Sequence, residues 1–123
     1  MKVRSYEQLH VWQRSIELVE ECYRLCALLP TSERFELSAQ LRRASVSIPA
    51  NISEGHARLH RGDFVRHLSF ARGSVAEVNT LLIIIGRLGL LHQERLRLAH
   101  QLADEVSRML TVMLRSLTCE RDS

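Results

Sequence analysis

Apolar residues recur along this chain at alternating steps of three and four, the spacing that stacks side chains on one face of a helix. In the N-terminal quarter Leu9, Trp12, Ile16, Val19, Tyr23 and Cys26 form one stripe, and Leu18, Cys22, Leu25 and Leu29 form a second beside it. Together they predict a helix over 6–29, opened by Ser5 and Gln8 at capping-box spacing, with one stripe facing a bundle and the other free for a partner. Pro30-Thr31-Ser32 ends this helix and caps a second over 33–57, where Glu33 lies near the positive end of the dipole. In the second helix Leu41, Ala44, Ile48 and Ile52 keep helical spacing straight through Pro49. The missing N–H and crowded ring of that proline predict a kink there. Gly55, near the helix end, suits a left-handed residue or a close approach.

After the short connection 58–62 the series Phe64, Leu68, Ala71, Val75, Val78, Leu82 and Ile85 predicts a third helix over 62–88 with a heptad face. Gly73 inside it points to close backbone contact, and Gly89 is the better of two glycines for its C-cap. The run Leu81-Leu-Ile-Ile-Ile85 covers the whole circumference of a helix and leaves no face for water. A lone bundle exposes one side of each helix, so the run must be covered by another subunit or by an unusually deep neighbour, and for self-association Leu18, Leu25, Ile83 and Ile84 are the candidate contacts. A fourth helix over 92–118 carries Ala99, Ala103, Val106, Leu110, Met113 and Leu117 in register, and Glu120 to Ser123 are expected to fray. Four matched helices joined by short turns give an all-α fold, an antiparallel up-down-up-down four-helix bundle with left-handed packing, in a single domain over 1–123.

Composition agrees. Of 123 residues 46% are hydrophobic and 5% aromatic, with two prolines and five glycines, a balance that favours helices over sheets. The formal charge of +3 comes almost wholly from arginine, since Lys2 is the only lysine, and guanidinium groups suit phosphate and carboxylate partners. Three cysteines, with Cys22 and Cys26 one turn apart, make no disulfide framework and point to a reducing compartment. Lys2 and Arg4 precede an amphipathic stretch, not a secretory core, and no apolar run of membrane-spanning length is evident. A cytoplasmic location without a membrane partner is the expectation.

The chain has no nucleophile elbow, no phosphate loop and no paired Glu-x-x-His, so neither catalysis nor a cofactor is expected. His56 and His60 lie one turn apart near Glu54 and Asp63, yet a zinc site needs three or four well-placed ligands, and no metal is assigned. For nucleic acid the candidates are Arg58, Arg61, Arg66 and Arg72 with His56, His60 and His67, a basic set spanning the second turn and the start of the third helix. Neither a helix-turn-helix signature nor a stacking platform accompanies it, which argues against sequence-specific readout. A polar layer near Pro49 is also expected, in which Arg42 or Arg43 pairs with Glu77 across the helices and engages Asn51 or Glu54. Glu17, Glu20 and Glu21 offer an acidic face to a protein partner.

Tyr6-Glu-Gln-Leu-His-Val-Trp12, Gln40-Leu-Arg-Arg-Ala-Ser-Val-Ser-Ile-Pro-Ala-Asn-Ile-Ser-Glu-Gly55, Phe64 to Leu68, Gly73-Ser-Val-Ala-Glu77, Arg108-Met-Leu110 and Leu114-Arg-Ser-Leu117 together carry a family resemblance. The chain resembles the four-helix bundle proteins encoded in intervening sequences of bacterial large-subunit ribosomal RNA genes. That resemblance implies a small cytoplasmic bundle that assembles as a homopentamer. A related branch consists of accessory proteins of diversity-generating retroelements, which bind a reverse transcriptase and nucleic acid. The implied partners are therefore copies of the chain itself, RNA or DNA, and another protein. His60-Arg-Gly-Asp63 stands where the family tends to carry serine and lysines. The competing expectation is a structural, protein-binding assembly with no nucleic acid.

Overall fold

The computed structural model describes residues 5–122, with side chains through Cys119, and holds four helices: α1 (His10–Leu28), α2 (Leu37–Ala57), α3 (Arg61–Arg87) and α4 (Gln93–Asp122). No strand occurs among the described residues. Lys2 and Arg4 lie outside them, as do Ser123 and the side chains of 120–122 in the stretch expected to fray. Each helix packs on the next and α4 closes onto α1, while the backbones of the diagonal pairs α1/α3 and α2/α4 stay more than 8 Å apart among the described residues. Cross-contacts give the directions. Cys26 and Cys22 reach Ser38 and Ser45 between α1 and α2, Ser47 and Asn51 meet Ser74 and His67 between α2 and α3, and Gly86 and Asn79 meet Gln93 and His100 between α3 and α4. In each pair one residue number rises as the other falls, so neighbours run antiparallel.

All four helices feed one apolar core. The heptad of α3 is its spine: Leu68, Ala71, Val75, Val78, Leu82 and Ile85 are buried, with Phe64 packed at the edge. By length and composition α3 could cross a membrane, but these apolar positions pack against α2 and α4. In α4 Ala99, Ala103, Val106 and Leu110 face them, and Met113 and Leu117 continue the stripe half-buried. α2 passes through the buried Pro49 as an unbroken helix, with Leu41, Ala44, Ile48 and Ile52 inward.

Several expectations change. In α1 the second stripe faces the core: Leu18 is 0% and Leu25 2% exposed, so neither can be a contact between copies. The turn of the helix that buries Val11, Ser15, Leu18, Cys22 and Leu25 leaves Trp12, Ile16 and Val19 half-covered and Tyr23 exposed. Buried Ser15 is tolerated because its hydroxyl donates to the Trp12 carbonyl at 2.7 Å. Ser5 accepts the Glu7 N–H at 2.9 Å and caps a 3₁₀ turn, Tyr6–Gln8, instead of α1 itself. Another 3₁₀ turn, Thr31–Glu33, precedes α2, which starts four residues later than expected, at Leu37, with no side-chain cap.

Glycine roles are redistributed too. A Cβ on Gly73 would meet nothing within 4 Å, so this residue provides no close approach. Gly55 and Gly86 do: a Cβ would fall 2.6 Å from the His67 Cβ in one case and 2.8 Å from the Gln93 Nε2 in the other. Gly89 takes φ +72°, and bonds from Gly89 N to Gly86 O and from Leu90 N to Ile85 O close α3 in a Schellman motif. In the run 81–85, Leu81, Leu82 and Ile85 are buried whereas Ile83 is 51% and Ile84 38% exposed.

Candidate nucleic-acid interface

The basic set around the α2–α3 turn splits once its surroundings are visible. Arg58 pairs with Glu54 at 3.4 Å and Arg66 with Asp63 at 3.2 Å, each one turn away on its own helix. Arg61 is also engaged. Such exposed pairs add little stability, but each offsets the charge its arginine presents to a phosphate. The His56 ring meets the Phe64 ring edge-on at 5.8 Å, and His60 sits exposed as the N-cap residue of α3. Arg72 has no acidic partner among the described residues and lines an open hollow of about 450 Å³ with Ser69, Gly73, Asn79 and Ser107.

His67 leaves the set altogether. It is 6% exposed and lies in the α2–α3 seam against Gly55, with Phe70 edge-on at 5.8 Å, so it cannot touch an external phosphate. Its Nδ1 stands 3.1 Å from Asn51 Oδ1, while the Asn51 amide nitrogen donates to the Ser47 carbonyl at 2.8 Å. With that nitrogen occupied as donor, Oδ1 must accept, and this assigns the imidazole proton to Nδ1. Nε2 is buried without a partner among the described residues. One turn further on, the Ser47 and Ser74 hydroxyls meet at 2.6 Å.

This serine, asparagine and histidine seam replaces the expected arginine layer. Arg43 and Glu77 are both exposed, border the same hollow and form no ion pair with each other; Glu54 is held by Arg58, and Arg42 reaches the Arg34 carbonyl at 3.5 Å. Short polar side chains can be enclosed with their donors satisfied, whereas a guanidinium in the seam would have to lose its water. The register signal was available: His67 is four residues before Ala71 and eight before Val75, at the edge of the heptad face.

Elsewhere charges are largely internal. Arg14 of α1 joins Glu17 and, from α4, Glu105, each at 2.9 Å; the Glu17 hydrogen bond, then the Glu105 charge, raise its pKa. Glu21 is buried and held by Arg24 at 2.9 Å, so of the expected acidic face only Glu20 has no ion pair among the described residues. Burial pushes the Cys22 thiol up to about 12 and raises Cys26 as well; both are free thiols. No cluster of three His, Cys, Asp or Glu side chains suited to a metal ion occurs among the described residues.

A family model described as 23S rRNA-intervening sequence protein matches residues 7–112. The crystal structure of a protein of unknown function from the S23 ribosomal protein family of Bacteroides thetaiotaomicron is similar, with a TM-score of 0.79 at 25% identity, over 85% of this chain and 97% of that one. No curated protein matches the chain.

Proposed function

The chain belongs to the 23S rRNA-intervening sequence protein family, and from that premise we propose that it is a non-enzymatic module that self-associates and grips the phosphate backbone of nucleic acid at many points. The observation that carries this reading is a surplus of guanidinium groups on the outside. Arg72, Arg87, Arg108 and Arg115 lie outside the core, and none has an acidic partner among the described residues. One copy is a weak polycation. Five copies, the number the resemblance implies, would together carry +15, five times the +3 of one chain. Repeated weak contacts then act as one strong one, and each phosphate neutralised releases counterions. Exposed Ile83 and Ile84 support self-association, since side-by-side isoleucines facing water favour a covering surface.

Binding of single- and double-stranded nucleic acid across a salt series tests the reading. Phosphate gripping requires the affinity to fall linearly on logarithmic axes as salt rises. A protein retained by neither strand form at low salt would contradict it and favour an assembly that docks only proteins.

A further inference from the structure

The sequence shows no stacking platform, but the fold leaves two aromatic rings exposed at the α1–α2 end. Tyr23 on α1 is 47% exposed, and Phe35, in the connection before α2, is 81% exposed. Neither belongs to the core. Between and beside them stand three arginines. Arg42 and Arg43 line an open hollow of about 530 Å³ with Tyr23, Ala39, Val46 and Ser47, a lining without any acidic residue. Arg42 extends from there to the Arg34 carbonyl at 3.5 Å, and the Arg34 guanidinium lies over the Phe35 ring, 5.3 Å from its centroid. Tyr23, Arg42, Arg34 and Phe35 thus form a connected path over the surface.

Three further facts favour an anionic, aromatic ligand there. None of Arg34, Arg42 and Arg43 is engaged in an ion pair among the described residues, so their charges stay available to a phosphate although Glu33, Glu36 and Glu77 lie near them in sequence or across the α2–α3 groove. The arginines around the α2–α3 turn, by contrast, include Arg58 and Arg66, both paired on their own helices. Finally, α2 begins at Leu37 without a side-chain cap, so its first N–H groups are not taken by a side chain, with Glu36 at the N-cap position. Guanidinium groups bind phosphate oxygens, and exposed rings bind the faces of unpaired bases; duplex bases are already stacked and offer no face.

We propose that this end of the bundle is the docking site for single-stranded nucleic acid, with phosphates on Arg42 and Arg43 and bases stacked on Tyr23 and Phe35. The assignment rests on the phosphate-binding reading above and gives it a location and a strand preference.

The test is fluorescence anisotropy with a labelled oligo-dT of about 15 nucleotides, a length that spans one typical single-strand site, its RNA counterpart and a duplex of equal length, using the full chain. Arg42→Gln/Arg43→Gln should weaken single-strand binding about tenfold or more and flatten the salt slope by about one for each phosphate left unneutralised. Phe35→Leu and Tyr23→Leu should each weaken it about fivefold or more with the salt slope unchanged, because stacking releases no counterions. Tyr23→Phe should restore binding. Arg58→Gln/Arg66→Gln, at the paired turn, should bind nearly as the parent does. If the α1–α2 variants bind like the parent while the turn variant loses affinity, this location is wrong although the chain still binds nucleic acid. If the parent binds none of the three probes, the functional reading itself falls, and the site with it.

Discussion

Asn51 Oδ1 accepts from Nδ1 of the buried His67 at 3.1 Å, joining α2 to α3 through the only part of their seam where enclosed side-chain amide and imidazole meet among the described residues. Asn51→Leu removes the acceptor and leaves the imidazole N–H buried and unpaired, a loss of about 1–3 kcal/mol. Urea unfolding of the variant measures it. Unchanged stability would mean that water or a rotated ring satisfies His67 instead.

Gly55 faces the same histidine. Gly55→Ala places a methyl 2.6 Å from the His67 Cβ, and overpacking of this kind costs about 1–3 kcal/mol. Gly73→Ala meets nothing within 4 Å in an exposed helix interior and should stabilise by about 0.5–1 kcal/mol. Thermal melts of the two variants should therefore shift in opposite directions.

The thiols give a chemical and a pH readout. Cys119 is exposed while Cys22 and Cys26 are buried, so an aromatic disulfide reagent should titrate one thiol in the native protein and three after unfolding. Cys22 keeps its proton up to about 12 when folded, against 9.0 for the ordinary thiol. Above pH 9 the unfolded chain releases that proton more readily than the folded one. The corresponding stability is intact below about pH 9 and is lost as the pH climbs toward 12, which urea melts at several alkaline pH values should show.

Neighbouring residues on α3 separate folding from assembly. Leu82 is fully buried, and Leu82→Ala should cost about 2–5 kcal/mol. Ile83→Gln/Ile84→Gln changes exposed positions, so monomer stability should move by no more than about 0.5 kcal/mol per substitution. Light scattering should nevertheless show a smaller assembly. A double variant of unchanged mass would remove these isoleucines from any subunit interface.

Periodicity made α3 and α4 legible, because Leu68, Ala71, Val75, Val78, Leu82 and Ile85 repeat without interruption and the pattern needs only one face. In α1 the two stripes look alike by spacing, and Leu18 and Leu25, expected as contacts between copies, are in the core. Its wetter stripe carries the large residues Trp12, Ile16 and Tyr23, whereas the core stripe is broken by Ser15 and small Cys22, so spacing alone does not tell which of the two is buried. Charge was less legible still. A run of arginines shows how much positive charge is present but not whether a carboxylate one turn away neutralises it, as Glu54 does for Arg58 and Asp63 for Arg66. Phe35 carried a signal, since it stands among Glu33, Arg34 and Glu36 outside any apolar stripe. Its proximity to Arg42 depends on how the α1–α2 connection folds, which spacing alone does not specify.

The most direct measurement is the affinity of the unmodified protein for a single-stranded oligonucleotide at stepwise increasing salt. Multivalent phosphate gripping predicts a straight fall on logarithmic axes, with a slope of several units reflecting several phosphates neutralised at once. Binding indifferent to salt, or no binding at the lowest salt, would contradict it.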